Sequence, residues 1–230
     1  MKVAPVSIEV TLDAGLTMRG YEWPIRGAPV VLLHDYEEDL DIWKDVDKEL
    51  ANKGFRVINL ELRGHGFSDG EPNNESLLSD VQDLLKELGT VWGPLGLCTH
   101  GQISEKLCSI HGSFAPKVHV AVSPLFEEPS DYEDVSRQFD TSYLVISGTS
   151  DTKGNEQARQ IFDRLGPKKL WASVASAKQG PNLLREHQHL IGDMTLFLQR
   201  YLVPAHQEWQ EKAIDQAITE AKVHDSEIKK

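Results

Sequence analysis

Cysteine is scarce in this sequence, and the common metal-binding spacings are missing. The 230 residues include only two cysteines, Cys98 and Cys108, which are expected near the same helix, so neither a disulfide framework nor a bridge is predicted. No CxxC or HExxH pattern occurs, and the glycine-containing stretches lack the Gly-Lys-Ser/Thr ending of a phosphate loop. We therefore expect no metal and no cofactor.

The sequence also lacks long apolar runs and clustered positive charge. No stretch approaches the roughly 18 apolar residues of a membrane-spanning helix, and the N-terminal "MKVAPVSIEV" has no run typical of a signal peptide. The net charge of −12, without a basic stripe, argues against nucleic acid and membrane surfaces as partners. A cytoplasmic protein with a sizeable core is expected, since 40% of the residues are hydrophobic.

The sequence contains an alternation of apolar strand runs and amphipathic helices. "PVVLLH" and "FRVINLEL" are typical of strands that are covered on both faces. "DIWKDVDKELANKG" and "SLLSDVQDLLKELG" follow them with helical spacing of apolar residues. Further strands are predicted at "VSIEVTL", "LTMRGYEW", "TVWGPLGLC", "KVHVAVS", "SYLVISG" and "KLWASV". The alternation predicts an α/β fold, with a mainly parallel sheet of about eight strands and helices on both faces.

A helical extension, residues 204–230, is predicted to follow the α/β domain of residues 1–203. Over residues 205–222, one side of the helix gathers the apolar residues Trp209, Ala213, Ile214, Ala217, Ile218 and Ala221. This side packs on its own domain, or it docks onto a partner protein or a second copy of the chain.

The order of motifs resembles the α/β-hydrolase superfamily over roughly residues 6–202. The similarity rests on the stretch from "VVLLHDYEEDL" to "RGHGFSDGE" and on "YLVISGTSD" and "NLLREHQHLIGDMTLFLQRYL". The resemblance implies a nucleophile on a strand-to-helix turn, an acid, a histidine and two backbone N–H donors that form an oxyanion hole. The short link between the sixth and seventh core strands implies that there is no lid domain.

The Gly-x-Ser-x-Gly segment of that family matches Gly96-Leu97-Cys98-Thr99-His100 here. The resemblance places Cys98 at the nucleophile position and the backbone N–H groups of Tyr36 and Thr99 at the oxyanion hole. Cys98 is then either a nucleophile or a small buried residue at a former serine position. A carboxylate at Asp35 opposes oxyanion stabilisation if it faces the hole.

The acid and histidine positions match Asp151 and Gln179. Asp151 follows a strand end in "SGTSD", whereas Gln179 stands where the family has its histidine. Glutamine cannot shuttle a proton near neutral pH. His187 and His189 are alternative bases if the loop is remodelled; otherwise they are polar positions at the start of the last helix.

These differences favour a degenerate active site in a non-catalytic α/β-hydrolase-fold protein that serves as a binding module or assembly subunit. The alternative is a hydrolase of esters, thioesters or lactones that uses Cys98 and Asp151 with a relocated histidine. A third hypothesis is a receptor that holds a small molecule in the residual pocket.

Overall fold

The computed structural model describes residues 3–110, 112–126 and 140–228, and of residues 221–228 only the backbone. Eight strands form one sheet: β1 Val6–Thr11, β2 Thr17–Trp23, β3 Pro29–Leu33, β4 Arg56–Leu60, β5 Gly96–His100, β6 Val118–Pro124, β7 Ser142–Gly148 and β8 Lys169–Val174. The seven α-helices of the described residues are α1 Val46–Asn52, α2 Leu77–Trp92, α3 Gly101–Leu107, α4 Thr152–Arg164, α5 Gly180–Glu186, α6 His189–Tyr201 and α7 Val203–Ile228. A 3-10 turn, Leu40–Trp43, precedes α1.

The strands are ordered β1-β2-β4-β3-β5-β6-β7-β8. β2 pairs antiparallel with β1 and β4, whereas the strands from β4 to β8 in this order are parallel. The expected α/β fold with a mainly parallel sheet is therefore confirmed. The parallel strands all end at one edge, and the loops after them lie together there.

Alternation along the buried strands divides the core between the two faces of the sheet. Val30 and Leu32 pack with Trp43 on one face, in a cluster that includes apolar residues of α1 and α6. Val31 and Leu33, one residue out of phase, pack on the other face with apolar residues of α2. Successive strand residues point to opposite faces, which is why these runs are apolar throughout.

The strand predicted over "TVWGPLGLC" is shorter in the structure, because its first residues belong to α2. Val91 and Trp92 belong to the last turn of α2, which ends at Gly93 with φ of +77°. A glycine at this conformation ends a helix at little steric cost. Pro94 therefore precedes the sheet, and the strand begins at Gly96.

The C-terminal helix α7 packs on the domain only at its beginning. His206 is buried, and the indole of Trp209 lies against Gly93 so closely that a Cβ there would overlap it. Residues 210–220 are all exposed. The expected apolar side therefore contacts the described domain through Trp209, while Ile214 and Ile218 remain 60% and 47% exposed.

Candidate functional site

The sharp turn that joins β5 to α3, residues 100–102, is called here the elbow. β5 ends at His100, and α3 begins at Gly101 with φ of +63°. A Cβ on Gly101 would overlap Oδ2 of Asp35. In hydrolases of this fold the nucleophile stands at this strand-to-helix turn. Here the residue at the turn with the left-handed backbone is Gly101, which carries no side chain.

Cys98 lies three positions before the turn, inside β5. Its backbone pairs with Leu32 of β3 and Val120 of β6. The side chain is completely buried, and burial raises the pKa of the thiol far above its usual range. A neutral thiol in a strand interior has little thiolate with which to attack a substrate. The sequence register that placed Cys98 on the turn is therefore wrong by three residues.

The same shift moves the expected oxyanion donor. Thr99 also lies inside β5, where its Oγ1 is 2.7 Å from Ser104 Oγ and 2.8 Å from His119 Nε2. The residue after Gly101 is Gln102, so its N–H takes the position expected of Thr99. Tyr36 packs at the edge of the core, and burial followed by the charges of Asp35 and Asp80 raises its pKa to about 12.

The carboxylate of Asp35 occupies the donors of the elbow. Its Oδ2 accepts from Gln102 N at 2.9 Å, and its Oδ1 accepts from Ile103 N at 3.2 Å. His34 connects this loop to the residues that follow β4. Its Nδ1 is 2.7 Å from the Asp35 carbonyl oxygen, and its Nε2 accepts from the N–H of Leu62 at 3.0 Å. An anionic group already fills the place where an oxyanion would be stabilised.

His100 adds a second charged contact at the elbow. Its Nε2 accepts from Asp35 N at 3.2 Å and lies 3.0 Å from Oε2 of Glu38. One nitrogen cannot accept from the first and donate to the second at the same time, so these two contacts of Nε2 are alternatives. Burial acts to raise the pKa of Glu38, but the hydrogen bond and charge of His100 outweigh it, and the net shift is downward.

The opposite side of the site, called here the acid corner, consists of Asp151 and Gln179. Asp151 follows β7, and its Oδ1 accepts from Gly154 N at 3.2 Å, which caps α4. Its Oδ2 accepts from Nε2 of Gln179, the residue that precedes α5. The structure thus brings these two predicted residues together, with an amide in contact with the carboxylate. Their proposed roles stay predictions.

A cavity of about 410 Å³ joins the elbow to the acid corner. Its polar wall contains Asp35, Glu38, His100, Ser123, Lys178 and Gln179. Ser123, at the end of β6, has φ of +48° and is 5% exposed, and its Oγ has no hydrogen-bond partner among the described residues. Left-handed backbone at a serine is uncommon and concentrates at functional sites. The cavity is of a size that holds small ligands.

The alternative bases lie outside this cavity. His187 directly follows α5, and its Nε2 is 3.6 Å from Oε1 of the adjacent Glu186. His189 begins α6, and its ring centroid is 5.9 Å from that of His187. Neither residue lines the cavity. Neither His187 nor His189 therefore supplies a base to this cavity.

Four residues of the site were missed by sequence reasoning: Gly101, Gln102, Glu38 and Ser123. Pro94 carried a usable signal for the first two, because a proline cannot donate to a ladder and so delays the start of the strand. Counting the strand from Gly96 places the turn at Gly101. No sequence pattern indicates Glu38 or Ser123, because a loop and the end of a strand bring them to the cavity only in the folded chain.

Comparisons with known proteins agree with this architecture. A family model described as "alpha/beta hydrolase fold" matches residues 28–91. The chain is 35% identical over 83 residues to epoxide hydrolase 4 of Mus musculus, covering 34% of this chain and 23% of that protein. It is 36% identical over 67 residues to the non-heme chloroperoxidase CPO-A1 of Kitasatospora aureofaciens, covering 27% of this chain and 24% of that protein. The matched segments thus span about a quarter of these relatives.

Solved structures extend the likeness to most of the chain. The Pyrococcus furiosus esterase Pf2001 superposes with a TM-score of 0.72 at 15% identity, covering 87% of this chain and 94% of that one. The α/β hydrolase GrgF from Penicillium sp. sh18 gives a TM-score of 0.71 at 14% identity, covering 86% and 99%. These matches confirm the resemblance to the α/β-hydrolase superfamily and define the chain as a protein of the α/β-hydrolase fold.

The described residues hold neither a metal-binding cluster nor a membrane-spanning helix. Three or more histidine, cysteine, aspartate or glutamate side chains do not gather anywhere in this part of the chain as a metal would require. In the same residues, the helices are too short or too polar to cross a bilayer.

Proposed function

We propose that this protein has lost the hydrolase chemistry of its fold and uses the remaining cavity as a binding site. The absence of a side chain at position 101 of the elbow carries the proposal. Gly101 holds the turn position, and Asp35 overlaps the space that a side chain there would need. Without a nucleophile at this point, the covalent intermediate of the fold's usual mechanism has no residue on which to form.

The oxyanion donor and the proton-transferring group, which are the other two parts of the hydrolase mechanism, support the same conclusion. Asp35 accepts from Gln102 N, so a developing oxyanion would meet a negative charge instead of a free donor. Gln179 replaces a proton-transferring group beside Asp151. These changes lie on separate loops but face one cavity, which is what relaxed selection on a single reaction would produce.

Covalent labelling of the full-length chain tests this proposal. A fluorophosphonate reports an activated serine, and iodoacetamide reports a reactive thiolate. Intact-mass spectrometry should show no adduct from either reagent on the folded protein, while Cys98 should react with iodoacetamide in denaturant because burial no longer protects it. Stoichiometric labelling of Cys98 or Ser123 in the folded chain would overturn the proposal.

We propose in addition that the distal part of α7 serves as an assembly surface, for a second copy of the chain or a different protein. Ile214 and Ile218 are 60% and 47% exposed on a helix that runs on to Ile228. Isolated helical segments are marginal in water, so contacts with another surface would stabilise this one. Trp209 fixes the start of the helix on the domain and leaves the rest available.

Sedimentation of the full-length chain over a range of concentrations tests the self-association form of this proposal. Ile214→Ser with Ile218→Ser should shift the protein towards monomer, because two apolar contacts are lost. Gln210→Ser with Gln216→Ser is the matched control on exposed positions of the same helix. A wild-type chain that is monomeric at every concentration contradicts self-association and leaves only a different protein as partner.

A further inference from the structure

The charges that line the cavity identify the kind of ligand that it fits. This inference rests on the proposed binding role and specifies the chemistry of the bound molecule. The lining carries the carboxylates of Asp35, which is half-buried, and of Glu38, whose side chain is 38% exposed, and the lysine in the lining, Lys178, is an exposed residue. Charges at the surface are screened by water far more than charges in a cleft. A ligand in the cavity therefore meets the carboxylate of Asp35 as the least screened carboxylate of the lining.

The two carboxylates keep unused acceptor capacity. Each oxygen of Asp35 accepts one backbone N–H, and a carboxylate oxygen has two lone pairs. Glu38 is bound through one oxygen, Oε2, by His100. Because Asp35 already covers the N–H groups of Gln102 and Ile103, an anionic ligand would find repulsion at this position rather than donors.

Ser123 supplies an independent sign that a ligand belongs here. Its side chain is 5% exposed, lies in the wall of the cavity and has no hydrogen-bond partner for Oγ among the described residues. An unpaired buried hydroxyl is costly, so a ligand that donates to it gains binding free energy. The left-handed φ of +48° holds the hydroxyl in this position at the end of β6.

The remaining wall restricts the shape of the ligand. Ile42, Leu125, Ala177 and Pro181 provide a short apolar side, and within the described residues the lining contains no Phe, Tyr or Trp. Quaternary ammonium groups are held by aromatic faces, whereas primary ammonium groups need hydrogen-bond acceptors. We infer that the cavity binds a small primary ammonium ion whose N–H groups donate to Asp35, Glu38 and Ser123 and whose short alkyl chain contacts the apolar side.

Amide chemical shifts of the isotope-labelled full-length protein, followed at constant ionic strength, test the inference. The probes are n-butylammonium, butyltrimethylammonium, 1-butanol and butyrate, which share one alkyl chain. n-Butylammonium should shift the amides of Ser123, Gln102 and Gln179 with a dissociation constant of about 1 mM, a value in keeping with its few atoms. The other three probes should bind at least about tenfold more weakly, because each lacks the charge or the N–H donors.

Variants separate this site from general attraction to an acidic protein. Glu38→Gln and Ser123→Ala should each weaken n-butylammonium binding about tenfold. Glu211→Gln, the same charge change at an exposed position of α7, should leave the binding unchanged. Equal effects of Glu38→Gln and Glu211→Gln, tighter binding of butyrate, or the absence of shifts with all four probes overturns the ammonium site. Those outcomes leave the loss of catalysis untouched, since covalent labelling measures it separately.

Discussion

The acid corner and the elbow lie across one cavity, and they differ in the side chains that they present to it. At the acid corner, Gln179 donates a hydrogen bond to Asp151 from an amide, a group that cannot transfer a proton near neutral pH. At the elbow, Gly101 has no side chain, and Asp35 from a neighbouring loop fills the space and caps α3. The acid corner therefore keeps a contact between two side chains. The elbow instead has a glycine whose neighbouring space is filled by a carboxylate from another loop.

The largest expected effect comes from reversing both corners together. Gly101→Ser, Asp35→Gly and Gln179→His in one chain should give ester hydrolysis about a hundredfold faster than any single change, because nucleophile, free donor and base act as a unit. The measurement is the hydrolysis rate of p-nitrophenyl butyrate. Gln179→His alone should give no gain; a gain from this single change would mean that the elbow already holds a nucleophile.

A glycine-to-alanine change at the elbow and one beside the acid corner compare how well the two regions tolerate an added methyl group. Gly101→Ala should lower the free energy of unfolding by about 3 kcal/mol, because left-handed backbone and overlap with Asp35 combine. Gly154 has helical backbone, so Gly154→Ala meets only the overlap with the Asp151 carboxylate and should cost about 1–2 kcal/mol. Urea unfolding provides both values. Gly15→Ala, at φ of +76° with open space around it, is the control for backbone strain alone.

Acid should lower the free energy of unfolding through His119, which contacts Thr99 of β5. Burial lowers the pKa of His119 from 6.5 to about 3, so the folded chain binds fewer protons than the unfolded chain between these values. Stability is therefore complete above pH 6.5 and is lost as the pH falls towards 3. From pH 7 to about pH 5 this group alone should remove about 2 kcal/mol. Denaturant titrations at both pH values should show a smaller decrease for His119→Gln; an equal decrease would assign the acid sensitivity elsewhere.

Removing the aspartates that cap α3 and α4 should have the smallest effect on stability, and each removal should act at a different helix. Asp35→Ala and Asp151→Ala each delete a carboxylate that accepts backbone N–H groups at the start of a helix, which costs about 1 kcal/mol. Hydrogen exchange of individual amides locates the change. Asp35→Ala should speed exchange at Gln102 and Ile103 and leave Gly154 unchanged. Faster exchange at Gly154 in this variant would show that the corners are coupled rather than separate.

The fold was predictable because its signals are local. Runs such as "VVLLH" and "SYLVISG" are apolar throughout, and buried parallel strands need that pattern. The contact of Asp151 with Gln179 followed from the order of motifs. The elbow was misplaced because the Gly-x-Ser-x-Gly match was counted from Gly96, whereas Gly96 is the first residue of β5 and the turn comes at Gly101.

The role of Asp35 was only partly accessible from sequence. Its position in the loop after β3 indicated a conflict with an oxyanion, but its contact with the N-terminus of α3 depends on a loop geometry without sequence periodicity. Ser123 was invisible for the same reason, since its unpaired hydroxyl and φ of +48° are properties of the folded strand end. Sequence patterns identify the residue types that carry chemistry, but they do not give the distances between those residues or the cavity that they line.

The hydrolysis of p-nitrophenyl butyrate by the full-length wild-type chain, at neutral pH and high protein concentration, tests the central claim most directly. The account predicts a rate equal to that of buffer, and equal rates for Cys98→Ala and Ser123→Ala, because the elbow holds no nucleophile. A wild-type rate well above buffer that either substitution abolishes would contradict the loss of catalysis and restore an enzyme at this site.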